Sequence, residues 1–465
     1  MAQKLRSDSK VPPLRAALRR EVNEDVQVVG HGHSETGEPY VQLVITGRPV
    51  LVRVNNLIAH RSLEFARLRD LGARLLTAPA QRELIDRIEA QLTRKPIFRV
   101  ATVSGGIGKR AKFADDREFM IEHFGEPRIE FYDYEDDPHH RLRRCHGTRE
   151  GAMELFALFR GNTRLLSGAA LAFVGPLHTV VPLEHVALQF TGEDELMQTR
   201  AAAAISSIWG GDPHFKYRLG CGTAWENIEN ALEQWAAAYS NTLLFLDKCD
   251  DILGTHGSAK AAPLVNAVKH IAGGRAKSGG NDPAVHSWFT PILSTAKVSV
   301  PKMLDHKHRP GDLSYIGTLL DIPNPRGSNG FLENFHGFAR GYYLAGEETF
   351  QQRLMNLANH HYGWAGRAFE HRLASAVKKD RMELVAFVNA RREAYLKAAE
   401  SIPAPGRDVD RLHGKFATIY AAGCTAIRFQ ILPFTKDELR DAVLTCERDH
   451  IAFIAKELGL AAILG

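Results

Sequence analysis

Apolar and polar positions alternate with two periods along this chain, and the change between them divides it. The runs PYVQLVITG and RPVLVRVNNL are rich in β-branched residues, and Gly47, Arg48 and Pro49 between them predict a hairpin or tight strand connection. QRELIDRIEAQLTR, residues 81–94, puts Leu84, Ile85, Ile88 and Leu92 on one helical face. PIFRVATVS at 96–104 and PRIEFYDY at 127–134 read as further strands, and EDDPHHRLRRCHGT as an exposed loop. Residues 1–148 are therefore expected to form a small α+β domain.

The texture changes near Thr148. Two helical stretches break at Gly161-Asn162, and the apolar run VALQFTG, 186–192, leads into an alanine-rich helix reaching Ile208. NTLLFLDKCDD, 241–251, reads as a buried strand ending on acids, and WFTPILSTAK, 288–297, as one ending on hydroxyls. Strands alternating with helices predict a parallel sheet covered by helices, with 186–191, 242–247 and 289–294 together in it. Residues 149–330 are expected to form this core. Residues 331–465 are dominated by helical patterns interrupted at Pro403, Pro405 and Gly406.

Composition narrows the classes without choosing among them. The 465 residues carry 59 Lys+Arg against 54 Asp+Glu, a formal net charge of +5, too small to prove a nucleic-acid partner or to exclude one. Hydrophobic residues are 44% and charged residues 24%, which excludes wholesale disorder. No apolar run reaches the ~20 residues of a membrane span, and the basic first residues lack the apolar centre of a signal peptide. Cys145, Cys221, Cys249, Cys424 and Cys446 are odd in number and widely spaced, as expected for reduced thiols in a cytoplasm. The histidine pairs lack partners at zinc-motif spacing, and Asp136 to His146 reads as a solvated loop, so no metal site is expected.

The stretch 186–208 has the strand–turn–helix placement of a phosphate loop, in which backbone N–H groups cradle phosphates, a lysine meets their charge and a hydroxyl holds magnesium. Gly192 stands at the first glycine and Thr199 at the hydroxyl. Met197 replaces the second glycine, where its side chain would obstruct a close backbone approach, and Gln198 replaces the lysine. Glu193, Asp194 and Glu195 add three negative charges. Taken locally, an ordinary strand–turn–helix and a nucleotide loop both remain open.

Several separated strings carry a wider resemblance: GNTRLLSGAALAFVGPL at 161–177, SSIWGGDP at 206–213, TLLFLDKCDD at 242–251, ILSTAK at 292–297, LLDIPNP at 319–325, ENFHGFARG at 333–341 and HYGWAGRAFEHRL at 361–373. In order and spacing, the region from about Arg149 to Leu444 resembles the domain-of-unknown-function-927 family. That family comprises helicases and inactivated derivatives with P-loop ATPase modules related to the minichromosome-maintenance branch of AAA+ proteins. The resemblance implies an α/β fold: a P-loop (AAA+/RecA-like) parallel-sheet core, a small α+β N-terminal domain and a helical C-terminal subdomain.

Carried over by position, it makes Asp247 the magnesium-associated acid and puts Lys248 where a glutamate would orient attacking water. Ser294 and Thr295 take the polar sensor position. Gly192, Gln198, Thr199 and Lys248 would form a vestigial nucleotide site, and Asp247, Ser294 and Thr295 its vestigial catalytic groups. Gly317 and Thr318 stand where the family often has an arginine reaching a neighbouring subunit's phosphate, and Arg309 is the nearest upstream arginine. Arg275 and Lys277, in the glycine-rich stretch Gly273–Gly280, are the candidate nucleic-acid contacts; a solvated surface connection is the alternative. Two functional classes follow. One is a non-catalytic, nucleic-acid-associated or interaction protein in replication of a mobile genetic element, with no cofactor. The other is a divergent, active ATPase or helicase using ATP and magnesium. DNA, a protein partner or a second copy of the chain are the expected associates.

Overall fold

The structure is a computed structural model. It describes residues 26–34, 37–59, 61–70, 72–75, 77–101, 118–123, 129–133, 145–210, 222–225, 235–236, 239–250, 261–274, 288–303, 317–328, 330–342, 344, 346–402 and 409–457. These fall into two compact units.

The first unit is built on a six-stranded sheet. Its strands are β1 (Val26–Ser34), β2 (Pro39–Ile45), β3 (Arg48–Arg53), β4 (Phe98–Ala101), β5 (Glu118–His123) and β6 (Ile129–Asp133), in the order β3-β2-β1-β4-β5-β6. The β2–β3 turn is Thr46-Gly47, both with positive φ (48° and 80°). This is the two-residue hairpin geometry whose twist matches that of the strands. The turn therefore lies one residue earlier than expected, and Arg48 and Pro49 belong to β3. Pro49 is tolerated because β3 is the sheet edge, where a missing N–H breaks no ladder. Residues 54–57, expected to continue the strand, open the helix Val54–Ala59. The predicted amphipathic helix runs Ala78–Leu92; Thr77 accepts from the Ala80 amide at its start, and Leu84 and Ile88 are buried.

The second unit contains a five-stranded, all-parallel sheet. Its strands are β7 (Ala187–Thr191), β8 (Gly222–Ala224), β9 (Leu244–Asp247), β10 (Ile292–Ala296) and β11 (Leu320–Pro323), in the order β11-β7-β10-β9-β8. The three expected core strands are thus in one sheet. β8 and β11 are additional: β8 has only three residues, too few for a period to show, and β11 was visible only as the string LLDIP. β10 lies between β7 and β9, which sets the end of Leu293-Ser294-Thr295-Ala296 beside both the loop after β7 and the acid ending β9.

Helices surround this sheet. Arg149–Phe159, Thr163–Leu171, Val174–His178 and Glu195–Ser206 precede or follow β7; Phe350–His360, Trp364–Ala399, Val409–Arg428 and Lys436–Glu457 make up the C-terminal region. The long helix from Trp364 is broken at Asp380 (φ −161°, ψ 99°), whose carboxylate accepts the Glu383 amide at 3.0 Å and so caps the second segment. Trp209, Trp225 and Trp288 are buried in the core, as expected of packing rather than stacking residues.

Arg164 ties this architecture together. Its side chain is only 1% exposed, yet every face of the guanidinium finds an acceptor. It donates to the Pro323 carbonyl at the end of β11 (2.8 and 3.1 Å), to Asp449 Oδ2 (2.6 Å) and to Thr163 Oγ1 (2.7 Å), with Glu333 3.5 Å away. One side chain joins the helix Thr163–Leu171, the sheet and the last helix. His450 works alongside it: Nδ1 donates to the Asp321 carbonyl at 2.9 Å.

Arg164→Ala takes from the buried Asp449 its buried partner and leaves it only the exposed Arg326, 2.9 Å away, so the change should cost about 3 kcal/mol in chemical denaturation followed by circular dichroism. The double change Arg164→Met/Asp449→Leu should recover most of it, because no buried charge remains. A pH series tests the imidazoles. Burial holds His450 and His185 at about 4, below the ordinary 6.5. The unfolded chain then binds more protons than the folded one between pH 6.5 and 4. Stability should be full above pH 6.5 and fall as the pH drops through this window, by about 2 kcal/mol per histidine at pH 5. His450→Gln should flatten the dependence.

Candidate functional site

The candidate site lies at the C-terminal ends of β7, β10 and β9, the edge of a parallel sheet where ligands bind in open α/β folds. β7 ends at Thr191, and the chain turns through Gly192, Glu193 and Asp194 into the helix starting at Glu195. Gly192 has φ 148°, and a Cβ there would meet the Asn324 side chain at 3.0 Å, so both conformation and space call for glycine.

The loop is short. A phosphate cradle between the first glycine and the hydroxyl position would keep residues 193–198 as a wrap of free amides; here residues 195–198 are already helical. The Gly192 amide donates to the Ala296 carbonyl (3.1 Å), and the Gln198 amide to the Asp194 carbonyl (3.0 Å). Met197 does not obstruct the loop as its place in the pattern suggested. Its side chain is 1% exposed and packs in the core, because helical spacing turns it inward. Gln198 is likewise fully buried. Its Nε2 reaches Asn324 Oδ1 at 3.4 Å, and its Oε1 has no hydrogen-bond partner.

Thr199, Asp247 and Thr295 come together. Thr199 Oγ1 and Thr295 Oγ1 both donate to Asp247 Oδ1, at 2.7 and 2.5 Å, and the Lys248 amide donates to Thr295 Oγ1 at 3.0 Å. Asp247 is 3% exposed. Lys248 holds a left-handed φ of 55° with its side chain exposed, a conformation uncommon for a residue with a Cβ. Ser294 does not join this group. Adjacent strand residues point to opposite faces, and Ser294 belongs to a buried chain running Trp225 Nε1 to Ser294 Oγ (2.9 Å), Ser294 Oγ to Gln189 Oε1 (3.0 Å) and Gln189 Nε2 to Asp321 Oδ1 (2.7 Å), where Thr191 Oγ1 also donates (2.9 Å). Of the two residues placed at the sensor position, only Thr295 faces the acid.

The three acids of the loop are answered from within the chain. Lys297, one residue past β10, places Nζ 3.3 Å from Glu193 and 3.5 Å from Glu195; its hydrogen bond to Glu193 is the main reason its amine is held above the ordinary lysine value. Asp194 stands at the N-cap but does not cap its own helix. Its carboxylate accepts the Phe331 amide (3.2 Å) and the Tyr342 hydroxyl (2.8 Å). Burial, and then the Asp194 carboxylate, raise the Tyr342 phenol above its ordinary value. Arg200 lies over the Tyr342 ring, 5.4 Å from its centroid, and donates to Gln351 Oε1 at 2.5 Å. Acids before a helix are also favoured by its dipole. The sequence pattern missed Lys297, Asn324 and Tyr342, although each lies in or beside a resemblance string.

Gly317 and Thr318 form a half-buried turn before β11. Arg275, Lys277 and Arg309 lie outside the described residues. Among the described residues no group of three or more His, Cys, Asp or Glu is set to hold a metal ion, and no helix is long and apolar enough to cross a membrane.

Residues 55–262 match the family model described as Domain of unknown function (DUF927). The match takes in the loop after β7 and the acid of β9. A solved structure titled "SCCmec type IV Cch - active helicase" is similar over 94% of this chain and 75% of its own, with a TM-score of 0.61 and 14% identity. A full-length MCM homolog from Methanopyrus kandleri aligns over 92% of this chain and 77% of its own, with a TM-score of 0.33 and 10% identity. No curated protein matches the sequence. The Cch likeness is one of fold: the core, a parallel sheet with a strand–turn–helix after β7, is P-loop-like, as in that helicase structure.

Replacing Asp247 tests the site's internal bonding. Asp247→Leu leaves the buried Thr295 and half-buried Thr199 hydroxyls without their shared acceptor and should lower the unfolding free energy by about 1–3 kcal/mol in urea titrations. Thr199→Val, which removes one donor from a carboxylate keeping another, should cost about 1 kcal/mol.

Proposed function

We propose that this chain is a helicase-fold protein with a degenerate nucleotide site. It acts without turnover, as a nucleic-acid-associated or interaction protein in replication of a mobile genetic element, and works in the cytoplasm. The observation that supports this most is the loop itself: the helix begins at Glu195, Gln198 is buried where a phosphate-binding lysine would extend, and Glu193 and Glu195 already hold Lys297. Thr199 and Asp247 are of the chemical kind that holds magnesium. The residues around them do not fit a polyphosphate: the position-198 side chain is uncharged, three carboxylates line its path, and the Gly192 amide is already bonded. Lys248 stands where a water-orienting acid would be required. Phosphoryl transfer rests on positioning and charge neutralisation, and a single arginine contributes ~10³–10⁵ in rate. Loss of both the loop lysine and the acid therefore leaves no efficient hydrolysis.

A second reading, a divergent but active ATP-dependent helicase, draws on the retained Thr199–Asp247 pairing and on the Cch neighbour, whose title calls that protein an active helicase. Arg275 and Lys277 serve as nucleic-acid contacts in either reading.

Isothermal titration of the full chain with ATP and magnesium separates the two. The degenerate site should give no saturable binding below the millimolar range; a micromolar dissociation constant would overturn it, and phosphate release would then be needed to establish the second reading.

A further inference from the structure

The C-terminal helices gather three cations around one aromatic ring. Phe387, on the helix Trp364–Ala399, is half-buried against the core. Arg391 lies one turn further along the same helix, its guanidinium carbon 5.6 Å from the ring centroid. Arg428 ends the helix Val409–Arg428 and sits 4.6 Å from the centroid; Lys436 opens the helix Lys436–Glu457, with its Nζ 5.7 Å away. Three helices thus bring like charges to one place. Attraction to an aromatic face is small where water competes, and it does not remove the repulsion among the cations.

The carboxylates nearby are already engaged. Glu383 pairs with Arg428. Asp437 and Asp441 hold Arg440 at 2.8 and 3.1 Å. Glu438 accepts the Thr435 amide at 2.7 Å at the start of its own helix, with Arg160 3.9 Å away. Arg391 and Lys436 have no ion pair or hydrogen bond among the described residues. Arg391 Nε is also buried, a donor cut off from water with nothing to accept from it. Lys436 stands in the first turn of its helix, where the positive end of the dipole opposes a cation. The two face a common point: burial raises the Cys424 thiol to about 11, and the Tyr420 hydrogen bond, Arg391 and Lys436 all act against that rise. Each of these features destabilises the folded chain, and one bound anion relieves them together. Residues that break local rules with no internal compensation mark a candidate site.

We propose that Arg391, Arg428 and Lys436 around Phe387 form a binding site for a phosphate group, apart from the loop after β7. Guanidinium forks match phosphate oxygens in pairs, and an ammonium meets them as a point charge. A phosphate turns oxygens to several sides, so it can meet groups from three helices at once, where a planar carboxylate reaches fewer. It can arrive free or within a nucleic-acid backbone, with the same chemistry at the site. A backbone would extend the proposed nucleic-acid association from Arg275 and Lys277 to the C-terminal helices.

The double variant Arg391→Gln/Lys436→Gln tests this in the full chain. Neither side chain has a carboxylate to lose, so the thermal midpoint should stay level or rise. Lys378→Gln/Lys379→Gln is the control of equal charge, on exposed lysines of the same helix before its break at Asp380. Isothermal titration with inorganic phosphate at low salt should show saturable binding by the wild type and the control, weakened at least tenfold in the double variant. Fluorescence anisotropy with a labelled oligothymidylate distinguishes the sources. For a backbone site, affinity should fall by a similar factor and the log-affinity versus log-salt slope by about 0.7 for each lost contact. Weakened phosphate binding with the oligonucleotide unaffected would assign the site to free phosphate. Absence of binding of both probes by the wild type, or equal affinities in wild type and double variant, would overturn the site, as would an equal loss in the control. ATP enters neither titration, so the result is independent of the loop after β7.

Discussion

A parallel sheet covered on both faces leaves its interior polar groups no water to bond with, and this sheet carries several. Gln189, Thr191, Ser294 and Asp321 lie on one face, Asp247 and Thr295 on the other, and all six are buried. An unpaired member would carry a desolvation penalty of a few kcal/mol. The sheet order removes it. With β10 between β7 and β9, Ser294 lands opposite Gln189, Gln189 opposite Asp321, and Thr295 beside Asp247. The strand order, the hydrogen-bond chain and the site are one arrangement seen at three scales.

The same need for internal partners shapes the loop after β7. Three adjacent acids would repel each other and any phosphate. They are stable here because a helix N-terminus, Lys297 and the Tyr342 hydroxyl each answer part of the charge. Lys297 and Tyr342 thus hold carboxylates of this loop by contacts within the chain. In the proposed reading of the loop these contacts add to its mismatch with a phosphate, since a working cradle leaves its donors unmatched until phosphate arrives.

The resemblance strings acquire physical meaning once placed in the fold. GNTRLLSGAALAFVGPL holds Arg164 and Asn162, one joining three elements and the other holding the segment after β11. ENFHGFARG is most of that segment, and Glu333 within it caps the helix that Asn162 leaves uncapped. ILSTAK supplies both the threonine facing Asp247 and the lysine facing the acids. Residues of strings far apart in the chain meet in space.

Local periodicity was enough for the helices Ala78–Leu92 and Glu195–Ser206 and for β7, β9 and β10, since a buried strand or helical face must repeat apolar residues at its own spacing. The strand–turn–hydroxyl pattern, a local feature, made Thr199 a candidate, whereas the role of Asp247 was implied by the family resemblance. Strand order was beyond the reach of periodicity: pairing depends on contacts between segments about a hundred residues apart. So were the inward turn of Met197 and Gln198, which follows from where the helix starts, and the opposed directions of Ser294 and Thr295 relative to Asp247. Tyr342 has no local signal at all, since nothing in its neighbourhood points to Asp194, 148 positions earlier. Sequence alone determined which chemistry was present and which was missing. Tertiary structure decided which groups meet, because burial drives most polar atoms to a partner in space and that partner is seldom a neighbour in the chain.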